Sequence, residues 1–289
     1  MQALQGVASG MSQKLDILAV VMARAGSVGL RNKALRGLCG RAVIEWTFEH
    51  VRESRLITRS VVSSDSGEIL GVAREAGFEV IERPVELATD GAATDPVLRH
   101  AVREIFKTTE GTARQGRNQN EPQTDRTDQT DFFKTRLSDL SDLSVAKKLP
   151  FAVVMLYGNV PVRGGRMIDR CIEMLLETGA DSVQTVAGVG KFHPYWMFDR
   201  EADGRIKKHV ANDVFRRQDL PALYSPTGAV YVMKTSVLMA AEGADDPHAF
   251  LGVDRRGLIV NPEDSVDIDT EKDLYIAEAM MRVKDADSR

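Results

Sequence analysis

Two groups of residues carry types and spacings that chemistry can use. The first is Arg24-Ala25-Gly26-Ser27-Val28-Gly29-Leu30-Arg31-Asn32-Lys33. Gly26 and Gly29 permit close approaches that a β-carbon would block. Ser27 offers a hydroxyl, and Arg24, Arg31 and Lys33 add cations, a set that suits a polyphosphate. The stretch is neither Gly-x4-Gly-Lys-Ser/Thr nor Gly-x-Gly-x-x-Gly, and alone it fits a glycine-rich turn with solvated basic residues equally well. The second group is Val266-Asp267-Ile268-Asp269-Thr270. On a strand, Asp267 and Asp269 share one face, two positions apart. Paired carboxylates suit a hard divalent cation such as Mg2+. A helix N-cap would account for Asp269 or Thr270, but not for Asp267 between apolar neighbours.

Weaker signals surround these two. Arg163 follows an apolar run and has the fork to grip a substrate carboxylate, although a surface salt bridge is the commoner use of such an arginine. Arg216, Arg217 and Gln218 form a further polar cluster ahead of Tyr231. His193 and His209 have no nucleophile or metal partner at a telling spacing and read as structural, and no base can be placed beside Ser27, Ser63 or Ser64.

The elements that must position these residues are legible as a βα alternation. Ile17 to Ala23 is a short, continuous aliphatic run, the pattern of a strand buried on both faces. The basic glycine-rich loop then lies at its carboxyl end, where open α/β sheets bind ligands. An amphipathic helix is expected over 42–51, a strand over 59–65, a helix over 68–76 closed by Gly77, and a strand over 78–81. A polar loop over 82–94 leads to a helix from about Asp95 to Phe106. Further strands are expected at 151–157, 182–186 and 227–233, with helices over 167–178 (closed by Gly179) and 271–283. This order predicts a three-layer α/β/α Rossmann-like domain with a doubly wound, parallel sheet.

The 289 residues then divide into a polar leader (1–14), one domain (15–283) and a short tail (284–289). Residues 107–148 interrupt the domain with Thr, Gln, Asn, Arg and Asp and too few large apolar side chains to offset ordering, so they read as a flexible surface insertion. Residues 187–222 are aromatic, and His193-Pro194-Tyr195-Trp196-Met197-Phe198 is expected to pack on a second copy of the chain rather than to lie as a lid on its own domain. With 38 Lys and Arg against 42 Asp and Glu the net charge is −4, which argues against a nucleic-acid binder held by a broad basic surface. No apolar run reaches membrane-spanning length, and Cys39 and Cys171 have neither metal nor disulfide-framework spacing, so a cytoplasmic protein is expected. A basic loop, a cation site and an anion-binding arginine at strand ends suit attack on a nucleoside triphosphate, with Mg2+ neutralising the charge that develops.

At this point a family resemblance becomes specific. Residues 23–30 with Lys33 resemble the N-terminal signature of the acylneuraminate cytidylyltransferases, the CMP-sialic acid synthetases. Val61-Val62-Ser63-Ser64-Asp65 with Glu68, Arg83 to Asp90, Gly228 to Tyr231 and Ser265 to Thr270 look like four further blocks of that family, in its order. The resemblance implies a nucleotide-diphospho-sugar transferase type of nucleotidyltransferase with a small dimerisation arm over 187–222. Its activity would be transfer of CMP from CTP to an acidic nine-carbon keto sugar of sialic, legionaminic or pseudaminic type, releasing pyrophosphate. It implies that Arg24, Ser27, Gly29 and Lys33 hold the triphosphate, with Arg24 and Lys33 as the catalytic cations. Ala23, Arg83, Ala92 and Thr94 would line the nucleotide pocket. Tyr157, Arg163, Arg217, Gln218 and Tyr231 would face the sugar, and Asp267 and Asp269 would anchor Mg2+. Val28 stands where the family carries Lys, Ala34 where it carries Asn, and Tyr157 where it carries the Gln of Gln-Pro-Thr-Ser-Pro-Leu-Arg. Two other readings use the same residues: a same-fold transferase for another nucleotide or sugar, and a non-catalytic sugar-nucleotide binder.

Overall fold

The computed structural model of the chain describes residues 15–26, 29–106, 149–164 and 166–287. The leader, Ser27, Val28 and the 107–148 insertion lie outside the described residues.

The chain opens with β1 (Ile17–Met22), all six residues of which are buried. A small hairpin follows, β2 (Gly37–Leu38) and β3 (Arg41–Ala42), and then α1 (Val43–Glu53). Next come β4 (Arg59–Ser64), α2 (Gly67–Glu75), β5 (Glu79–Glu82) and α3 (Thr94–Ile105). After 107–148 the described chain resumes with β6 (Ala152–Tyr157), β7 (Val162–Arg163), α4 (Met167–Thr178) and β8 (Ser182–Gly188). The antiparallel hairpin of β9 (Phe198–Arg200) and β10 (Ile206–Lys208) precedes the long β11 (Tyr224–Lys234) and α5 (Thr235–Ala240). The chain closes with β12 (Arg255–Ile259), β13 (Ser265–Val266) and α6 (Glu271–Asp287).

Seven strands form the main sheet in the order β12-β8-β11-β6-β1-β4-β5. The expected parallel sheet is mixed: β11 runs antiparallel to both β6 and β8, while the other pairs are parallel. β12 was not foreseen, because only Leu258 of Arg255–Ile259 is buried and an edge strand carries no apolar run.

Period-two alternation sorts the central strands into two cores. Ile17, Ala19 and Val21 pack with Ile44 and Phe48 of α1, Ile69 of α2, and Ile172 and Leu175 of α4. Leu18, Val20 and Met22 pack with Leu98 and Val102 of α3 and Val237 and Leu238 of α5. Helices therefore cover both faces, giving the expected three layers. Burial of each such aliphatic side chain contributes about 1.5–3 kcal/mol, and β1 and β6 carry no polar residue before Tyr157. A third cluster, Leu38, Val43, Val162, Ile268 and Ala277, seats α6 against the β2–β3 hairpin and draws the late aspartates toward the first loop. Local signals set the helix ends: the Ser66 hydroxyl accepts from Ile69 N (3.3 Å) at the start of α2, and Gly179, at φ 66°, closes α4.

Candidate active site

At the carboxyl ends of β1 and β6 lies a cavity of about 200 Å³. Ala23, Arg24 and Lys33 line it from the first loop, Tyr157 from the end of β6 and Asn159 from the turn after it. Arg83, Ala92 and Thr94 line it from the β5–α3 connection. Seven residues singled out in the sequence thus share one wall.

The first loop is anchored at both ends. Ala25 N donates to Asp65 Oδ1 at 2.9 Å, and Ala23 N to the Ser63 carbonyl at 3.2 Å. In sequence Asp65 stands at a strand end and in one of the family-like blocks, with no role in the site assigned to it. Its use here follows from its place, one residue beyond the buried β4, at the same sheet edge as the loop. Lys33 Nζ reaches Asp269 Oδ1 at 2.7 Å, joining residues 236 positions apart. Gly29 approaches the same segment so closely that a β-carbon there would stand 2.4 Å from the Asp269 carbonyl oxygen. The loop and the late aspartates therefore meet at one place. Arg24, on the cavity wall, pairs with Asp90 of the β5–α3 connection.

The strand that was to present Asp267 and Asp269 covers only Ser265–Val266, because β13 pairs with the two-residue β7 and stops there. The alternation survives it: Ile268 is fully buried, and Asp267 and Asp269 stand exposed on either side. Ile268 N is tied to the Asn159 carbonyl at 2.9 Å, and Asn159 Nδ2 donates to Asp267 Oδ1. Desolvation, and then the neighbouring Asp269 carboxylate, push the Asp267 pKa up to about 6, with Lys33 and Arg163 pulling the other way. The cap of α6 is a separate device: Asp273 accepts from Asp269 N (3.2 Å) and Thr270 N (2.8 Å), which leaves the Asp269 side chain to Lys33.

One sequence expectation is corrected. Arg163 is buried, and its guanidinium is consumed by the fold. Nε donates to the Ala229 carbonyl (2.9 Å), Nη1 to the Val160 carbonyl (2.5 Å) and Thr47 Oγ1 (3.0 Å), and Nη2 to the Tyr157 carbonyl (2.9 Å). Burial lowers its pKa to about 9, and it braces the turn rather than gripping a carboxylate. Arg217 and Gln218 lie apart from the cavity on a single turn, Arg217–Asp219, and Arg217 lines a second cleft with Gly190, His193 and Tyr224. Within one chain nothing brings that turn to the β1 edge, because it belongs to the segment that carries the β9–β10 arm.

Arg83 is partly structural. It is buried, and it donates from Nη2 to the Ser63 carbonyl (2.8 Å) and from Nε to Ser63 Oγ (3.3 Å), with burial holding its pKa below the usual arginine range. The Tyr157 phenol is pushed up to about 12 by burial first, and next by Tyr231 and Asp267 nearby. It stays a neutral donor beside Thr94. Burial likewise raises Tyr231. Asp90 closes one of the family-like blocks without an assigned role, and Asn159 belongs to no spacing that marks a site.

Comparison with known proteins finds similar sequences and a similar fold. Residues 18–108 match the family model described as cytidylyltransferase. The chain is 24% identical to the post-translational flagellin modification protein B of Campylobacter coli, over 95% of this chain and 98% of that one. It is also 24% identical to a CMP-N,N'-diacetyllegionaminic acid synthase of Campylobacter jejuni, over 93% and 96% of the two chains. Among solved structures, a CMP:2-keto-3-deoxy-manno-octonic acid synthetase complexed with CTP superposes with a TM-score of 0.56 at 13% identity, covering 93% of this chain and 99% of that one. That last likeness establishes the fold.

Proposed function

We propose, from its place in the cytidylyltransferase family, that the chain transfers CMP from CTP to an acidic nine-carbon keto sugar and releases pyrophosphate. The observation that carries this reading is the Lys33–Asp269 ion pair, which ties the phosphate-type loop on the cavity wall to the segment that carries the two carboxylates. Among the three sugar types considered, the legionaminic type has the support of the near full-length match to a synthase named for that sugar.

In this reading Arg24 and Lys33 meet the triphosphate, exchanging their present carboxylate partners for phosphate oxygens. Main-chain groups near Ala92 and the wall of Ala23, Arg83 and Thr94 hold the nucleoside. The sugar's anomeric hydroxyl oxygen gives up its proton and bonds to the α-phosphorus as the bond from that phosphorus to the α,β-bridging oxygen breaks, and the bridging oxygen leaves with pyrophosphate. Tyr157 and Tyr231 present neutral phenols toward the sugar.

The donor set fits Mg2+. Desolvation, and then the neighbouring Asp269, raise the cost of ionising Asp267, and Mg2+ is held in such sites by one or two carboxylates completed by substrate phosphates. When bound, it would neutralise charge developing on those phosphates.

The β9–β10 arm supports a homodimer: Phe192, Phe198, Ile206 and Phe215 are exposed, and a second copy would cover them. Among the described residues no helix is long and apolar enough to cross a membrane. The well-separated cysteines, Cys171 buried and Cys39 exposed, support a cytoplasmic setting.

The test is incubation with CTP, Mg2+ and a panel of nonulosonic acids, reading pyrophosphate. Release with a legionaminic-type sugar is expected. Folded protein that releases none with any sugar overturns the reading, and stabilisation by GTP or UTP but not by CTP reassigns the nucleotide.

A further inference from the structure

Asn159 lies on the turn after β6 and is 8% exposed. A buried amide must find partners for its hydrogens, and here both go to one stretch of chain. Nδ2 donates to Asp267 Oδ1 and to the Ile268 carbonyl, the latter at 3.1 Å. The Asn159 main-chain carbonyl accepts from Ile268 N. The turn that carries Asn159 is held in its own right, because Arg163 donates to the carbonyls of Tyr157 and Val160 on either side of it. Among the described residues nothing donates to Asp267 Oδ2.

We propose that Asn159 is a positioning residue: it fixes the Asp267 carboxylate at the cavity rim with Oδ1 engaged and Oδ2 available to a divalent cation. This rests on the transferase reading of the same cavity. The physical argument is one of preorganisation. A carboxylate beside a second carboxylate, with nothing to orient it, turns away from its neighbour and must be ordered again when the ion arrives. A buried, doubly committed amide on a braced turn removes that freedom beforehand, and partners behind a metal ligand are worth about 10–100-fold in metal affinity.

The experiment compares the wild-type full chain with Asn159→Ala and Asn159→Leu, the second keeping the branched shape at a larger volume, and reads Mn2+ binding by electron paramagnetic resonance without nucleotide. The Mg2+ dependence of CTP turnover and metal-free melting are measured alongside. Both variants should bind Mn2+ about 10–100-fold more weakly, with turnover recovering at high Mg2+. If the alanine variant fails to fold, the leucine variant decides. Wild-type Mn2+ affinity in the folded variants overturns the proposal and leaves the transferase reading standing. A wild type that binds Mn2+ but releases no pyrophosphate overturns the transferase reading, while the variants' Mn2+ affinities still decide the role of Asn159. A wild type that binds no Mn2+ overturns the positioning role outright.

Discussion

Gly29→Ala is a one-atom probe of whether the first loop and the aspartate segment form a single reaction centre. The backbone of Gly29 needs no special conformation, so any effect comes from the added methyl. That carbon would stand 2.4 Å from the Asp269 carbonyl oxygen, whereas ordinary contact begins near 3.4 Å, so the two segments must part by about 1 Å. Overpacking of this kind costs roughly 1–3 kcal/mol. For a chain of this size that lowers the melting temperature by a few degrees, at about 2 °C per kcal/mol. The larger effect is on rate. The displaced contact holds Asp269 opposite Lys33, and a 1 Å misplacement near reacting groups is worth about a hundredfold in kcat. Gly37→Ala, where an added carbon meets nothing within 4 Å, should leave both quantities unchanged. Pyrophosphate release and thermal melting of the two variants make the measurement. A Gly29→Ala protein with wild-type kcat and wild-type melting would refute the convergence of loop and aspartates.

Three further outcomes are expected. Arg24→Ala and Lys33→Ala should each lower kcat by about two to three orders of magnitude while melting barely changes, as removal of a cation that stabilises transition-state charge does. Arg163→Lys should destabilise the protein by on the order of 3 kcal/mol, because carbonyls of Tyr157, Val160 and Ala229 lose donors, yet leave KM for the sugar unchanged in the folded fraction. A raised KM with unaltered melting would restore the substrate role for Arg163. In native protein one thiol per chain should react with an aromatic disulfide reagent, and two after unfolding, since Cys39 is exposed while Cys171 is buried with its pKa raised to about 12.

Much of this architecture is written in local patterns. The Ile17–Met22 run, the hydroxyl of Ser66 and the glycine at 179 each act on their own neighbourhood, and each appears where its chemistry requires. The direction of β11 does not, because period-two alternation is the same whichever way a strand runs. The aspartate pair and the basic loop were legible as chemistry, but their meeting depends on Ile268 and Ala277 packing against the β2–β3 hairpin. Arg163 misled for a related reason. Its partners are main-chain carbonyls from three separate segments, which no spacing in the sequence announces. Asn159 was silent because its partner lies 108 residues downstream.

The Lys33–Asp269 contact also sets an order along the chain. All seven strands of the main sheet are complete in sequence by residue 259, ahead of either acid of the late segment. A chain truncated after residue 259 therefore keeps every strand of the sheet but neither acid, and is expected to be inert.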